Sequence, residues 1–143
     1  MPYFLAPFIG WLVSGVCKFA INYIRFGADA KNRIGNGGFP STHTTVITTP
    51  AVLIGLNEGF TSPIFGLAVA VAYIIMIDAT GLRMHVGKQA ALLNRLAGNS
   101  LNPEDIQEKL RESMGHTRFE VAGGLVLGTV LGFMLYWIGL WVL

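Results

Sequence analysis

The feature that most constrains this chain is a series of long stretches almost without charge. Residues 63–80 contain one charged side chain, Asp78, and residues 119–143 also contain one, Glu120. A run of about 20 apolar residues can cross the hydrocarbon core of a bilayer as a helix. Since 52% of the residues are hydrophobic and only 13% are charged, the chain is too apolar for a soluble domain. We therefore interpret it as an integral membrane protein.

Hydropathy predicts an all-α fold with about four transmembrane helices in a single membrane domain, residues 1–143. The predicted spans cover residues 3–24, 44–56, 63–80 and 119–143, and the polar segments 25–43 and 81–118 separate them. Glycines recur on the last span at positions 123, 124, 128 and 132. Small residues one helical turn apart are typical of close helix packing. We expect them to pack inside the subunit or across a homodimer.

A short helix is predicted within the second polar segment. The run Asn102-Pro103-Glu104-Asp105 is typical of a helix start, and Gly115 is a natural stop. Ile106, Leu110 and Met114 would share one apolar face. We expect a short amphipathic helix lying on the membrane surface.

The basic residues indicate how the chain is oriented. Residues 25–43 contain three Lys or Arg and residues 81–118 contain six, while the turn at 57–62 contains none. The positive-inside rule then places both basic segments in the cytoplasm and both termini outside. His43 and His116 are therefore expected on one face of the membrane, at the depth of the lipid headgroups.

A polar turn at residues 37–45, GGFPSTHTT, leads directly into the second span. Gly38 permits a ligand to approach the backbone closely, Ser41 and Thr42 supply hydroxyls and helix caps, and a helix start presents unpaired N–H groups to an anion. This pattern predicts a phosphate site with His43 beside the bound group. An ordinary loop leading into a helix uses the same residue types, so that alternative stays open.

A second polar pattern stands at the start of the last span, where His116 and Glu120 are four residues apart. On a helix they would share one face. A carboxylate bonded to one imidazole nitrogen fixes the tautomer and raises the basicity of the other, which suits a nucleophile. The alternative is that Thr117 is an N-cap and Glu120 its capping-box partner.

Together these residues resemble the type 2 phosphatidic acid phosphatase superfamily, which includes the vanadium haloperoxidases. Pro40-Ser41-Thr42-His43 is similar to its Pro-Ser-x-His motif, and His116-x-x-x-Glu120 is similar to its His-x-x-x-Asp motif. With Asp78-Ala-Thr-Gly-Leu-Arg83 and Gly87-Lys88-Gln89-Ala90, the pattern most resembles the small divergent branch found in bacteria and plastids.

The resemblance implies a membrane lipid phosphate phosphatase that needs no metal or other cofactor. His116 would attack phosphorus, Glu120 would orient His116, and His43 would protonate the leaving oxygen. The implied substrate is a phosphomonoester or pyrophosphate lipid. The expected location is the plasma membrane of a bacterium, and the positive-inside rule predicts that the site faces the cytoplasm.

Basic groups would hold the phosphate oxygens, because a phosphoryl transition state spreads its charge over three oxygens. Arg83 is the candidate for the third-motif arginine of the superfamily, supported by Asp78, and Arg111 is its rival. The first motif, Lys-x6-Arg-Pro, is not present as such. The basic residues nearest to the Pro-Ser-x-His motif are Lys31 and Arg33, and we assign them to its place. The predicted phosphate-binding residues are Arg83, Lys88, Lys31, Arg33, Ser41, Thr42 and Gly38.

Two other functions fit the same residues. His43, His85 and His116 with Glu120 or Asp78 could ligate zinc in a membrane hydrolase, and a carrier could bind a lipid phosphate without hydrolysing it. Nucleic acid is not an expected partner, because the net charge is only +2 and the basic residues flank membrane spans. The expected partners are the phosphorylated lipid, membrane lipids and a second copy of the chain.

Overall fold

The computed structural model describes residues 3–27, 38–98 and 109–142, except the side chains of 140–142. The described ranges are helical apart from short connections, and they contain no strand. A 3-10 turn at Tyr3–Leu5 precedes α1 Ala6–Phe26, α2 Thr42–Glu58, α3 Pro63–Thr80, α4 Leu82–Gly98 and α5 Arg118–Val142. The predicted all-α membrane fold is confirmed.

Within the described ranges, three helical stretches are long and apolar enough to cross a membrane, namely Tyr3–Phe26, Pro63–Gly98 and Arg118–Gly139. α2 is shorter, with 17 residues, and it lies in the middle of the bundle, where it contacts α1, α3 and α5. Because these helices shield it from lipid, α2 can carry polar side chains on its interior face, and four of its five threonines are buried. Thr44, Thr45, Thr48 and Thr49 are all buried.

The closest contact in the bundle is the α2–α5 seam, formed by the glycines of α5 against α2. A Cβ added at Gly128 would lie 2.6 Å from the Cβ of Thr48, and one added at Gly132 would lie 2.7 Å from the Cβ of Val52. Only glycine permits this approach. Of the two alternatives for the glycine series, the structure therefore shows packing inside the subunit, and a homodimer would need another face.

Two threonine hydroxyls along the seam bond to backbone carbonyls, whereas the buried Thr48 hydroxyl has no partner among the described residues. Thr45 Oγ1 donates to the Ser41 carbonyl at 3.0 Å and lies 3.3 Å from the Gly124 carbonyl, and Thr49 Oγ1 donates to the Thr45 carbonyl at 2.8 Å. Bonds to a carbonyl one turn earlier let a helix bury polar side chains without losing its own ladder. The seam is therefore both close-packed and polar.

The helix in the second polar segment lies earlier than predicted. α4 covers Leu82–Gly98, whereas residues 109–114, the described part of the predicted amphipathic helix, are not helical; residues 99–108 lie outside the described ranges. Residues 82–98 are rich in strong helix formers such as Leu, Met, Lys, Gln and Ala. Residues 109–115, called the strap below, instead run along α4, because Asn94 supplies their backbone with hydrogen bonds.

Candidate active site

Polar ends of the helices converge at one end of the bundle, around a cavity of about 690 Å³. α1 ends there, α2 and α5 begin there, and the connection from α3 to α4 passes beside it. Its polar lining comes from Asn22 and Arg25 of α1, the Gly38 turn, His116 and Glu120. The cavity therefore borders the polar turn at Gly38 and the second motif, while His43 is not part of its lining.

The two predicted catalytic histidines lie in contact. Their ring centroids are 5.5 Å apart, with the planes nearly perpendicular at 78°. His43 sits in the first turn of α2 and is exposed. His116 is only 7% exposed, and neither of its ring nitrogens has a hydrogen-bond partner among the described residues. A buried imidazole normally finds a partner, so these nitrogens are available to a ligand.

Glu120 joins the two motifs through its carboxylate. Oε2 accepts the Thr117 amide at 2.8 Å, and the Glu120 amide donates to Thr117 Oγ1 at 3.2 Å, which completes a capping box. Oε1 accepts the Gly38 amide at 2.9 Å. The capping-box alternative is thus formed, and Glu120 acts on His116 through its charge.

The environment of His116 lowers its pKa below the ordinary value of about 6.5. Burial is the largest cause, because desolvation disfavours the charged form. The Glu120 carboxylate opposes this effect, while the charges of Lys18, His43 and Arg83 reinforce it. At neutral pH the His116 imidazole is therefore uncharged and keeps a lone pair for attack.

Two of the predicted phosphate ligands in the turn already have partners. The Ser41 side chain is fully buried, and its hydroxyl caps α2 by accepting from the Thr44 amide at 3.4 Å and the Thr44 hydroxyl at 3.0 Å. The Gly38 amide is bound to Glu120. Thr42 is half-buried and lines an opening beside Lys18 and α1. The turn is thus held by the Ser41 hydroxyl and by Glu120.

The predicted basic ligands are distributed unevenly around the site. Arg83 donates from Nε to Asp78 Oδ2 at 2.6 Å, the pairing expected of Asp78, and its charge acts on both histidines. Lys88 is exposed on α4 and is not part of the cavity lining. Arg111, the rival of Arg83, is exposed on the strap. Lys31 and Arg33 lie outside the described residues.

Sequence analysis missed the contribution of α1. Lys18 is close enough to Glu120, His43 and His116 for its charge to act on both imidazoles, and Arg25 lines the cavity. The signal was present, because Lys18 and Arg25 have the Lys-x6-Arg spacing of the first superfamily motif, with Phe26 in place of Pro. Residues seven apart share a helix face, so one face of α1 supplies both cations.

An apolar groove of about 470 Å³ runs between α1 and α5 and meets the cavity. Ile21, Phe39 and Phe119 line both spaces, and the rings of Phe39 and Phe119 stack with centroids 5.0 Å apart. Phe39 lies against Gly123, where an added Cβ would come within 2.1 Å of the ring. The site is therefore polar on one side of this aromatic pair and apolar on the other.

No group of three or more His, Cys, Asp and Glu side chains with metal-binding geometry occurs among residues 3–27, 38–98 and 109–142. Asp78 is paired with Arg83, and His85 is exposed on α4. The zinc alternative has no ligand set in these ranges to support it.

The chain is similar to one described protein family and to a bacterial membrane protein. The family described as "Divergent PAP2 family" matches residues 1–131. The uncharacterized membrane protein YuiD of Bacillus subtilis (strain 168) is 33% identical over 111 residues, which cover 69% of this chain and 70% of that protein. No solved structure matches the chain.

Proposed function

This chain belongs to the divergent PAP2 family, and from that premise we propose that it is a membrane phosphatase acting on a phosphomonoester or pyrophosphate lipid. The observation that carries the proposal is the contact between His43 and His116, with both nitrogens of the buried His116 unpaired among the described residues. Two imidazoles in contact can divide the work of nucleophile and acid. The reaction would need no metal ion.

In the proposed reaction, a lone pair on a His116 ring nitrogen forms a bond to phosphorus as the bond to the leaving oxygen breaks. In its protonated form, His43 gives a proton to that oxygen, and the alcohol departs. A water molecule then attacks the phosphohistidine while His43 takes a proton from it. The P–N bond breaks, phosphate leaves, and both histidines regain their starting states.

Three cations are available to the phosphoryl group. Arg25 lines the cavity, and the charges of Lys18 and Arg83 act on both histidines. Fixed cations stabilise the charge that spreads over the equatorial oxygens in the transition state. Asp78 holds the Arg83 side chain in place through their ion pair. Lys31, Arg33, Lys88 and Thr42 stay predictions as further phosphate contacts.

The apolar groove supports a lipid as the substrate. It meets the cavity at Ile21, Phe39 and Phe119, so a hydrocarbon chain attached to a phosphate in the cavity could lie between α1 and α5. In a bilayer this placement would orient the substrate and add little affinity, because the groove is no more apolar than the lipid that the chain leaves.

We also propose that the site faces the cytoplasm of a bacterium. Arg25, His43, Arg83 and His116 lie at one end of the bundle, on the segments where the basic residues concentrate. The positive-inside rule assigns that end to the cytoplasm. The bacterial relative is a membrane protein, which is consistent with a location in the plasma membrane.

The test is release of phosphate from phosphorylated lipids by the purified protein in lipid nanodiscs. We expect hydrolysis that vanadate inhibits and a chelator leaves unchanged, and an acid-labile phosphohistidine that an alkaline quench preserves. Loss of activity with the chelator would support the zinc alternative. Binding of lipid phosphate without any hydrolysis would replace the phosphatase with a carrier.

A further inference from the structure

The strap leads into His116 and is held against α4 at several points. At one end, the Asn94 side chain pairs with the Leu110 backbone: Oδ1 accepts the Leu110 amide at 2.9 Å, and Nδ2 donates to the Leu110 carbonyl at 2.8 Å. Nδ2 is also 2.8 Å from Glu112 Oε1. Asn94 thus uses both its donor and its acceptor on the strap.

Further along, the strap packs closely against the same face of α4, where glycines allow the two segments to approach each other. A Cβ added at Gly87 would lie 2.6 Å from the Glu112 carbonyl oxygen, so the strap backbone touches the helix backbone there. Gly115 has a φ of +88°, and a Cβ at that position would lie 2.6 Å from Met84 Cγ. Met84, Gly87 and Asn94 lie at helical spacing on one side of α4.

The other end of the strap is fixed by the His116 backbone. Its amide donates to the Ala79 carbonyl at the end of α3, at 2.9 Å. Between these anchors the strap is barely longer than the distance that it has to span. Ten residues of α4, from Met84 to Asn94, measure about 15 Å, and the five steps from Leu110 to Gly115 reach about 17 Å when extended. A change in register at Asn94 is therefore transmitted to His116.

We propose that Asn94 is a positioning residue for His116: by fixing the register of the strap on α4, it sets the place of the imidazole opposite His43. Asn94 itself stays outside the cavity lining. The proposal rests on the proposed function, in which His116 is the nucleophile. Small errors in the placement of a reacting group have large effects on rate, so a half-buried asparagine outside the cavity lining can matter for turnover.

The test compares Asn94→Ala with Asn57→Ala, a matched control at the opposite end of the bundle. Asn57 also donates from its side chain to a backbone carbonyl, that of Leu53, at 3.0 Å. With an aryl phosphate as substrate, we expect Asn94→Ala to lower kcat about tenfold with KM changed less than about twofold. Asn57→Ala should keep kcat within about twofold of the wild type.

Hydrogen exchange of the same variants separates positioning from general damage. Asn94→Ala should accelerate exchange in residues 109–116 and leave α2 unchanged, because the Leu110 amide loses its acceptor. Unchanged kcat in a folded Asn94→Ala variant would overturn the proposal. So would a fall in kcat without faster exchange in the strap.

A double variant supplies the rescue. Asn94→Asp alone places a carboxylate beside Glu112 and removes the donor, so kcat should fall. Adding Glu112→Gln puts an amide donor on the strap and restores a complementary pair, and kcat should recover at least about threefold relative to Asn94→Asp. Failure of this rescue would count against a role in register.

These measurements distinguish the two proposals. If the wild type hydrolyses nothing, the proposed function fails. Positioning of His116 is then judged by its reaction with diethyl pyrocarbonate, which requires the imidazole to become accessible. Asn94→Ala should speed modification of His116 at least about threefold and Asn57→Ala should not; equal rates would overturn the positioning role.

Discussion

The Gly38 amide donates a hydrogen bond of 2.9 Å to Glu120 Oε1, although the two residues are 82 positions apart in the chain. The second carboxylate oxygen accepts the Thr117 amide, and the Glu120 carbonyl accepts the Ser41 amide at 2.9 Å. One residue therefore fastens the turn that precedes His43 to the segment that carries His116. The acid of the second motif has a structural reason to be present whatever its effect on the imidazole.

Replacing Glu120 with glutamine should be harmful, because both carboxylate oxygens accept N–H groups and an amide offers only one acceptor. We expect Glu120→Gln to lower the free energy of unfolding by about 1–3 kcal/mol and to reduce phosphate release. The measurement is an unfolding titration in mixed micelles, alongside turnover.

Glu58→Gln is the matched control for this change. Glu58 accepts one O–H, from Tyr3, and a glutamine oxygen can still accept it. The control should unfold like the wild type. A Glu120→Gln protein as stable and active as the wild type would show that the link to Gly38 is dispensable.

The two histidines should differ in their response to the leaving group. His116→Ala should abolish hydrolysis of both an alkyl phosphate lipid and an activated aryl phosphate, since every substrate needs the nucleophile. His43→Ala should retain part of the aryl activity, because an aryl oxide departs without being protonated. Steady-state rates with the two substrates test this. Full activity of His116→Ala would exclude the phosphohistidine mechanism.

The acidic side of the pH profile should report the lowered pKa of His116. Attack requires the neutral imidazole, so activity is lost as the pH falls through this pKa, which lies below about 6.5. The charged groups acting on His116 are Glu120, Lys18, His43 and Arg83. Of these, the positive charges disfavour its protonation.

Lys18→Met should move that acidic limb to higher pH, since removal of a nearby positive charge makes His116 easier to protonate. The measurement is kcat/KM for an aryl phosphate from about pH 4 to 8, a range that brackets the ordinary histidine pKa. A limb that stays in place or moves to lower pH would mean that Lys18 does not act on the nucleophile.

If the groove holds the lipid tail, KM should depend on the length of the alkyl chain. Short alkyl phosphates, dissolved below their critical micelle concentration, allow this dependence to be measured. Burial of each added methylene is worth about 0.8 kcal/mol, so KM should fall up to about fourfold per carbon until the groove is filled. Ala122→Trp, placed in the groove wall, should remove this dependence and leave an aryl phosphate unaffected.

Ala70→Trp is the control for the groove, because Ala70 is exposed on α3 and is not part of the groove lining. It should keep the dependence of KM on chain length. The same dependence in Ala122→Trp would mean that the tail lies elsewhere.

The α2–α5 seam should not tolerate a methyl group. Gly128→Ala forces a Cβ to within 2.6 Å of Thr48 Cβ, so the helices must separate, and we expect a loss of about 1–3 kcal/mol in the free energy of unfolding. Gly66→Ala on α3 meets nothing within 4 Å and should gain about 0.5–1 kcal/mol. Equal effects on unfolding would contradict the seam.

Much of the bundle could be predicted from hydropathy, because apolar stretches of span length allow few alternatives in a membrane. The predicted span at 63–80 coincides with α3, and the pairing of Asp78 with Arg83 follows from the cost of an isolated charge near lipid. α4 was missed because its charged residues were interpreted as a surface segment, although its composition favours a helix.

The site was predictable only in part, for a physical reason. The spacing of residues along one helix can be deduced from the sequence, and Lys18 and Arg25 could have been identified in that way. The hydrogen bond from Gly38 to Glu120, in contrast, depends on how α2 packs against α5. That packing is set by shape at Gly124 and Gly128, and no local pattern encodes its register. The position of Asn94 beside the strap depends in the same way on tertiary contacts.

The α2–α5 seam also has a consequence for biosynthesis. α5 is the last of the described helices in the chain. During membrane insertion, α2 is therefore made before the helix that covers its threonines. Until α5 arrives, Thr45 and Thr49 can already bond to carbonyls one turn earlier, whereas the Thr48 hydroxyl, without a partner among the described residues, lies on the face that α5 has yet to cover. The Gly38 turn cannot be clamped by Glu120 before that moment, so a nascent chain lacking α5 would carry His43 into the membrane with no assembled centre around it.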